Sequence, residues 1–269
     1  MKKKIIVIII LILGFFIYCV VQNNVLSITN YDIISSKVTK EFNIVHLSDL
    51  HDKQFGKDNQ TLVRVVKQQK PDFIVFTGDL VDQKTEDVTR SVNTLGELNK
   101  CAQVYYIPGN HEYRCEKAEL IFRMLEDENV EVLNLKTQAI TVNGVYIDII
   151  GIDEMVNSVE SINKKMTEFE KSNNFKIVLS HFPENFPRYY SSYDVDLVLS
   201  GHAHGGQFNI PFVGGLYAPG QGIFPDYYKG VYSENGVNLV VSRGLGNSVI
   251  PLRIFNNPEV VVINIKPSE

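Results

Sequence analysis

The segment that decides the fold is NIVHLSDLH at residues 43–51, where a short β-branched run ends directly in Asp49 and His51. The next apolar run, FIVFTGDL at residues 73–80, also ends in an aspartate. Residues 59–69 between them have the spacing of an amphipathic helix. The two runs therefore predict a β-α-β unit and an α/β fold, with polar side chains at the carboxyl ends of its strands.

The rest of the chain continues this alternation. Further helices are predicted at residues 85–99 and 116–129, and further strands at 104–107, 130–133, 177–180, 197–200, 237–242 and 260–265. Asn143-Gly144 predicts a two-residue hairpin turn, because this pair readily adopts positive φ angles. The last third is rich in Gly-Pro loops, and we expect its strands to be antiparallel. Residues 41–269 are predicted to form one catalytic domain.

The amino-terminal segment carries an uninterrupted apolar run of 17 residues at 5–21, preceded by three lysines. As a helix it would span roughly 26 Å, at the short end of what crosses a membrane. We predict an uncleaved signal anchor with residues 1–4 in the cytoplasm, a polar linker at 22–40, and a catalytic domain outside the cytoplasm. A cleavable signal peptide is the alternative, although no small-x-small pair follows the run.

Charge and cysteine content exclude several functional classes. The chain of 269 residues has a net charge of −5, and without the three amino-terminal lysines 23 basic residues face 31 acidic ones, a net −8. Such a domain has no basic footprint for nucleic acid and is repelled by anionic lipid surfaces. Of the three cysteines, Cys19 lies in the apolar run, and Cys101 and Cys115 are either a disulfide pair or unpaired small apolar residues. None lies in a Cys-x-x-Cys motif, which argues against a structural zinc site.

Five of the six histidines follow predicted strands in company with Asp, Asn or Gly. The segments are SDLH at 48–51, GDL at 78–80, GNHE at 109–112, SHF at 180–182 and GHAHGG at 201–206. Each signal is weak alone, since an Asp-x-His is often a helix cap and Gly-Asp is often a turn. Because ligand sites of α/β sheets form at the carboxyl ends of strands, the five segments together indicate a metal centre.

The order Asp-x-His, Gly-Asp, Gly-Asn-His-Glu, His, Gly-His-x-His resembles the calcineurin-like metallophosphoesterase superfamily, over residues 41–266. Later segments, at 205–207, 218–222, 242–246 and 252–255, resemble a narrower bacterial branch. That branch contains membrane-anchored or exported phosphohydrolases related to UDP-2,3-diacylglucosamine hydrolase. The resemblance implies a four-layer α/β/β/α sandwich with two metal ions at the sheet edges.

The same resemblance implies a role for each motif residue. The first metal would be held by Asp49, His51 and His204, and the second by Asn110, His181 and His202. Asp79 would be a ligand of both metals. His111 would face the substrate as the catalytic residue, stabilising or protonating the leaving oxygen. Carboxylate, amide and imidazole donors suit two divalent Mn, Fe or Zn ions better than Ca or Mg.

The implied reaction is hydrolysis of a phosphate ester or pyrophosphate by a metal-bridging hydroxide. A metal-dependent phosphodiesterase or nuclease acting on soluble nucleotides and a noncatalytic interaction module are the alternatives. Arg243 and Arg253 are candidates for binding the substrate phosphate, although lone arginines also form structural ion pairs. Residues 208–228 contain six aromatic side chains, which would form either a wall for the acyl chain of a lipid-linked substrate or a loop packed over the sheet edge.

Overall fold

Two six-stranded sheets lie face to face in the computed structural model, which describes residues 2–247 and 252–268. Successive side chains of a strand point to opposite faces of its sheet and therefore pack into different hydrophobic cores. Ile44 packs between the two sheets, whereas Val45 packs beneath helices on the outer face of the first sheet. Ile150 faces the helices that cover the second sheet. The four-layer α/β/β/α prediction is confirmed.

Apart from the amino-terminal helix, the helices lie on the outer faces of the two sheets. Their bounds are α1 Lys2–Asn24, α2 Gln60–Gln68, α3 Thr89–Asn99, α4 Asn110–Arg114, α5 Ala118–Asp127 and α6 Val159–Phe169. The predicted helices correspond to α2, α3 and α5, each shorter than expected by one or more residues. Helices α4 and α6 were not predicted, although Ser158 caps α6 by accepting a hydrogen bond from the Ser161 amide.

The strands of the amino-terminal half are β1 Ser27–Ser35, β2 Phe42–Leu47, β3 Phe73–Thr77, β4 Val104–Ile107, β5 Glu131–Val132, β6 Thr137–Val142, β7 Val145–Ile152 and β8 Phe175–Ser180. The remaining strands are β9 Leu197–Ser200, β10 Asn209–Ile210, β11 Gly214–Gly215, β12 Tyr217–Ala218, β13 Gly222–Ile223, β14 Gly230–Glu234, β15 Val237–Val241 and β16 Glu259–Pro267. The first sheet has the strand order β1-β16-β2-β3-β4-β5, and the second has β14-β15-β9-β8-β7-β6.

Two expectations about the chain ends are wrong. Residues 22–40 are not a linker, because they contain β1, which pairs in parallel with β16 over its whole length. The polar composition concealed this strand, since it lies at a sheet edge and buries only Ile33 fully. The carboxy-terminal strands are not purely antiparallel: β15 is parallel to β9, and β16 is parallel to β1. The outermost predicted boundaries, at residues 1 and 269, lie outside the described residues.

Helix α1 is apolar and long enough to cross a membrane, and it is the one such helix among the described residues. Most of its side chains are exposed, which leaves it a candidate membrane anchor. The thiols of Cys101 and Cys115 are both free, so the structure agrees with the interpretation of these residues as unpaired cysteines.

Candidate metal centre

The backbone of the strand-end loops is unusual. Left-handed φ angles between 47° and 62° occur at five of the motif residues: Asp49, His51, Asp79, His202 and His204. Non-glycine residues rarely adopt this conformation, which costs on the order of 1 kcal/mol or more each. Such strain concentrates where side chains must converge on one point, and here all five side chains are buried and converge.

One group of side chains forms around His51. Its Nε2 lies 3.2 Å from Nε2 of His204 and 3.5 Å from Oδ2 of Asp79. Asp49 completes the group, with Oδ1 3.5 Å from His204 Nε2. Two imidazole nitrogens and two carboxylates thus surround one point, which is a donor set suited to a divalent transition metal.

The second group lies on the other side of Asp79. His181 Nε2 is 3.3 Å from Asp79 Oδ2 and 3.1 Å from His202 Nδ1. His181 donates its Nδ1 proton to the Thr77 carbonyl at 2.7 Å, so Nε2 is the nitrogen that faces the cluster. The Oδ1 atom of Asn110 is buried without a hydrogen-bond partner. An unpaired buried carbonyl oxygen fits a cation ligand, because leaving it unpaired otherwise costs stability.

The protonation of the cluster also suits cation binding. Burial lowers the pKa of His51 to about 4 and that of His202 to about 3, so both rings are neutral and keep a free lone pair at neutral pH. Burial opposes ionisation of Asp79, but the adjacent His181 holds the pKa of this carboxyl well below its usual value. Burial opposes protonation of His181, but the Asp79 carboxylate outweighs burial and raises the pKa of this ring to about 10. The centre therefore presents an ionised carboxylate beside the neutral rings of His51 and His202, and a cation bound at His181 would displace its Nε2 proton.

His111 lies at the wall of a cavity beside this cluster, in the turn that starts α4. Its Nδ1 accepts a hydrogen bond from the Gln83 amide at 3.0 Å. A neutral imidazole that accepts at Nδ1 carries its proton on Nε2. That nitrogen is 4.0 Å from Asp79 Oδ2, so the ring directs a donor toward the cluster.

Glu112, which had no role in the sequence analysis, joins two of the loops. Its buried carboxylate accepts hydrogen bonds from the amides of Asp79, Leu80 and Gly109 at 3.1, 2.6 and 2.8 Å. The loops are so close that a Cβ atom at Gly109 would lie 2.3 Å from Asp79 Oδ1. The sequence signal that could have revealed this role is the glutamate that ends the Gly-Asn-His-Glu motif. Glu112 fixes the position of Asp79 relative to Asn110.

Replacing Glu112 by Gln should lower stability by about 1–3 kcal/mol and reduce hydrolysis. The amide keeps the side-chain shape, but its NH₂ group faces backbone N–H donors and leaves at least one of them unpaired. Thermal unfolding and turnover of the full-length protein would measure both effects. Glu119→Gln, at an exposed position of α5, is the matched control. Equal Tm and equal turnover for the two variants would contradict this role of Glu112.

The cavity has a volume of about 460 Å³ and is open to solvent beside the cluster. Arg114 and Glu184 contribute opposite charges to its walls, and Met155, Phe182 and Tyr217 contribute apolar surface. Sequence reasoning missed Arg114, although it follows Asn110 by four residues and therefore shares its helix face. Of the aromatic residues in 208–228, only Tyr217 is among the described residues that line the cavity.

The structure corrects the proposed substrate role of Arg243 and Arg253. The Arg253 guanidinium is buried and donates to the main-chain carbonyls of Arg243, Gly244 and Gly246. Arg243 Nη2 forms an ion pair with Glu259 Oε1 at 2.8 Å. The Arg253 donors and Nη2 of Arg243 are occupied by protein acceptors, and neither arginine is among the described residues that line the cavity. Both arginines stabilise the carboxy-terminal loop and its contact with β1.

Comparison with known proteins agrees with this site. The profile of the calcineurin-like phosphoesterase family matches residues 42–206, and the chain belongs to this family. It is 30% identical over 244 residues to the metallophosphoesterase YkoQ of Bacillus subtilis, covering 89% of this chain and 88% of YkoQ. A metallophosphoesterase of Aquifex aeolicus is 30% identical over 266 residues, covering 93% and 95% of the two chains.

A third relative, from Bos taurus, is named a transmembrane protein with a metallophosphoesterase domain. It is 29% identical over 234 residues, covering 81% of this chain and 51% of the bovine protein. The family and the buried His/Asp cluster together define a phosphoester hydrolase and indicate a pair of divalent metal ions.

Proposed function

We propose that the protein hydrolyses a phosphate ester or pyrophosphate at a centre of two divalent cations held by the predicted ligands. The observation that carries this proposal is the position of Asp79. One oxygen of its carboxylate lies within 3.5 Å of imidazole nitrogens from both groups, His51 on one side and His181 on the other. A carboxylate shared in this way is suited to hold two adjacent cations.

Two bound cations would lower the pKa of a water molecule and neutralise charge on the phosphoryl oxygens. The protein supplies the remaining groups. The Nε2–H of His111 is placed to donate a proton or a hydrogen bond to the leaving oxygen. The guanidinium of Arg114 is placed to bind a phosphoryl oxygen from the cavity wall. The Phe182 ring packs against His202, with the two ring centroids 4.6 Å apart, and supplies an apolar wall beside the second group.

We further propose that α1 anchors the enzyme in a membrane, with the domain outside the cytoplasm, and that the substrate carries an apolar or lipid group. The three lysines before the apolar run support the orientation. The apolar side chains of Met155 and Tyr217 support the substrate class, because both remain more than 40% exposed beside the cavity. The narrower resemblance to UDP-2,3-diacylglucosamine hydrolase relatives agrees with such a substrate.

The test is hydrolysis by the full-length, Mn-loaded protein in lipid nanodiscs. Monoesters, diesters and pyrophosphates would be compared in pairs, each with and without an acyl chain. We expect a higher kcat/KM for the acylated member of the preferred pair. A preference for soluble nucleotide diesters would instead support the phosphodiesterase alternative. Absence of hydrolysis from every metal-loaded sample would contradict an enzymatic function and support an interaction module.

A further inference from the structure

We propose that the surface formed by Ile210, Phe212, Val213 and Phe255, here called the apolar tip, inserts into the lipid bilayer that holds α1. The proposal rests on the membrane anchor proposed above and adds a second point of contact. The proposed occupant of the apolar tip is a phospholipid bilayer and not a protein partner.

The first reason is the depth at which the tip contacts α1. The amide of Phe255 donates to the Tyr18 hydroxyl at 3.0 Å, and the two ring centroids are 5.5 Å apart. The next amide, of Asn256, donates to Gln22 Oε1 at 3.0 Å. Tyr18 lies three residues before the end of the apolar run, a rise of about 4.5 Å along a helix. Phe255 therefore lies level with the last turn of that run.

The second reason is that the domain has little freedom to move away from the membrane. Only two residues separate the end of α1 at Asn24 from the start of β1 at Ser27. The Ser27 amide donates to the Pro258 carbonyl at 2.8 Å, and β1 continues along β16. Because a rigid strand replaces the predicted linker, the loop that contacts α1 stays at the membrane surface.

The third reason is the exposure of the tip itself. Phe212 is fully exposed, and Phe255 and Val213 are each more than half exposed. Phe212 occupies the turn between β10 and β11 with a φ of 67°, a conformation that disfavours a bulky residue. Ile210, Phe212 and Val213 share one surface depression with Phe255, so the apolar groups are adjacent. Exposed apolar clusters of this kind mark contact surfaces.

Charge is the fourth reason. Outside the amino-terminal lysines the chain carries a net −8, so electrostatic attraction cannot hold the domain on a lipid surface. Apolar insertion can, because each aromatic side chain gains free energy on leaving water. Lys229 borders the tip, with Nζ bonded to Asn209 Oδ1 at 2.7 Å. Its ammonium group is placed to meet a lipid phosphate beside the inserted side chains.

The tip is also connected to the metal centre. Asn256, next to Phe255, donates its Nδ2 protons to the main-chain carbonyls of His204 and Gln207 at 2.7 and 3.2 Å. The chain that leaves His204 then passes through the tip and returns to the cavity at Tyr217. Membrane contact at the tip would therefore place the cavity near the lipid headgroups, where an amphiphilic phosphate ester resides.

The absence of tryptophan from the sequence gives a direct test. Phe212→Trp, Phe15→Trp in α1 and Tyr146→Trp each create a single-tryptophan full-length protein. Tyr146 is 65% exposed on β7 and serves as the matched aromatic control. Each variant would be reconstituted into phosphatidylcholine vesicles with and without brominated acyl chains. We expect blue-shifted emission and loss of fluorescence in brominated vesicles for Phe212→Trp and Phe15→Trp, and neither for Tyr146→Trp.

Quenching of Phe15→Trp without quenching of Phe212→Trp would overturn the proposal while leaving the anchor intact. Failure of both to be quenched would overturn the anchor and the tip together. A blue shift of Phe212→Trp without quenching by bromine would indicate a protein partner and would also overturn the proposal. Hydrolysis of a water-soluble phosphoester by Phe212→Trp at the wild-type rate would show that the fold and the proposed chemistry are retained.

Discussion

Replacing Asp79 by Asn is expected to remove most of the bound metal and to lower kcat/KM by about 10³-fold or more, since a metal pair contributes several kcal/mol to catalysis. The Asp79 carboxylate lies between His51 and His181 and serves both groups. A neutral amide of the same shape removes the anion that both cations share. Elemental analysis of the purified full-length variant after Mn loading, together with phosphoester turnover, would measure both losses.

Two further variants make the Asp79 experiment specific. Asp49→Asn removes a carboxylate from one group only and should cost less metal than Asp79→Asn. Asp148→Asn changes a buried carboxylate on β7, whose partners are Ser172 and Asn174, and should retain metal and activity. Two equivalents of metal in Asp79→Asn, with turnover near that of the wild type, would contradict the bridging role.

Replacing His111 by Ala is expected to lower kcat by about 10²- to 10⁴-fold with little change in metal content. The ring donates from Nε2 toward the cavity, while its Nδ1 is held by the Gln83 amide. Its removal should spare both groups of ligands, because His111 belongs to neither predicted set. The measurement is steady-state turnover together with elemental analysis of the same preparation.

The leaving group separates the catalytic role of His111 from a structural one. Esters of nitrophenol leave readily without a proton donor, so the defect of His111→Ala should shrink for them and stay large for alkyl esters. His111→Gln, which retains an N–H donor, should recover part of the activity. Metal loss in proportion to activity, or an equal defect for good and poor leaving groups, would make His111 a ligand or a structural residue.

The strands that carry the site could be predicted because both sides of each are buried. Residues 73–77 and 197–200 read as continuous apolar runs, and the structure contains β3 and β9 at those positions. Strand β1 could not be predicted in the same way, because an edge strand alternates polar with apolar residues and resembles a linker. Its pairing with β16 joins residues more than 200 positions apart, which no local pattern encodes.

The convergence of the motif residues within each sheet followed from strand order, because each motif ends a strand and parallel strands place these ends together. The meeting of the two sheet edges depends on how the sheets pack, which no local pattern encodes. Arg243 and Arg253 show the limit of that reasoning. A lone arginine in a loop gives the same sequence signal whether its partner is a substrate phosphate or Glu259 and backbone carbonyls. Glu112 and Arg114 show the opposite limit, because both stand beside a predicted ligand and only the geometry of α4 reveals their surroundings.

The most direct test of the metal centre is a titration of chelator-treated, full-length protein with Mn²⁺, in which bound metal and phosphoester hydrolysis are followed together. The structure contains two groups of His and Asp side chains that could each hold a metal ion, and Asp79 belongs to both. We therefore expect about two bound ions per chain, with most of the activity returning as the second binds. Full activity after exhaustive chelation, or full activity with a single bound ion, would contradict a two-metal mechanism.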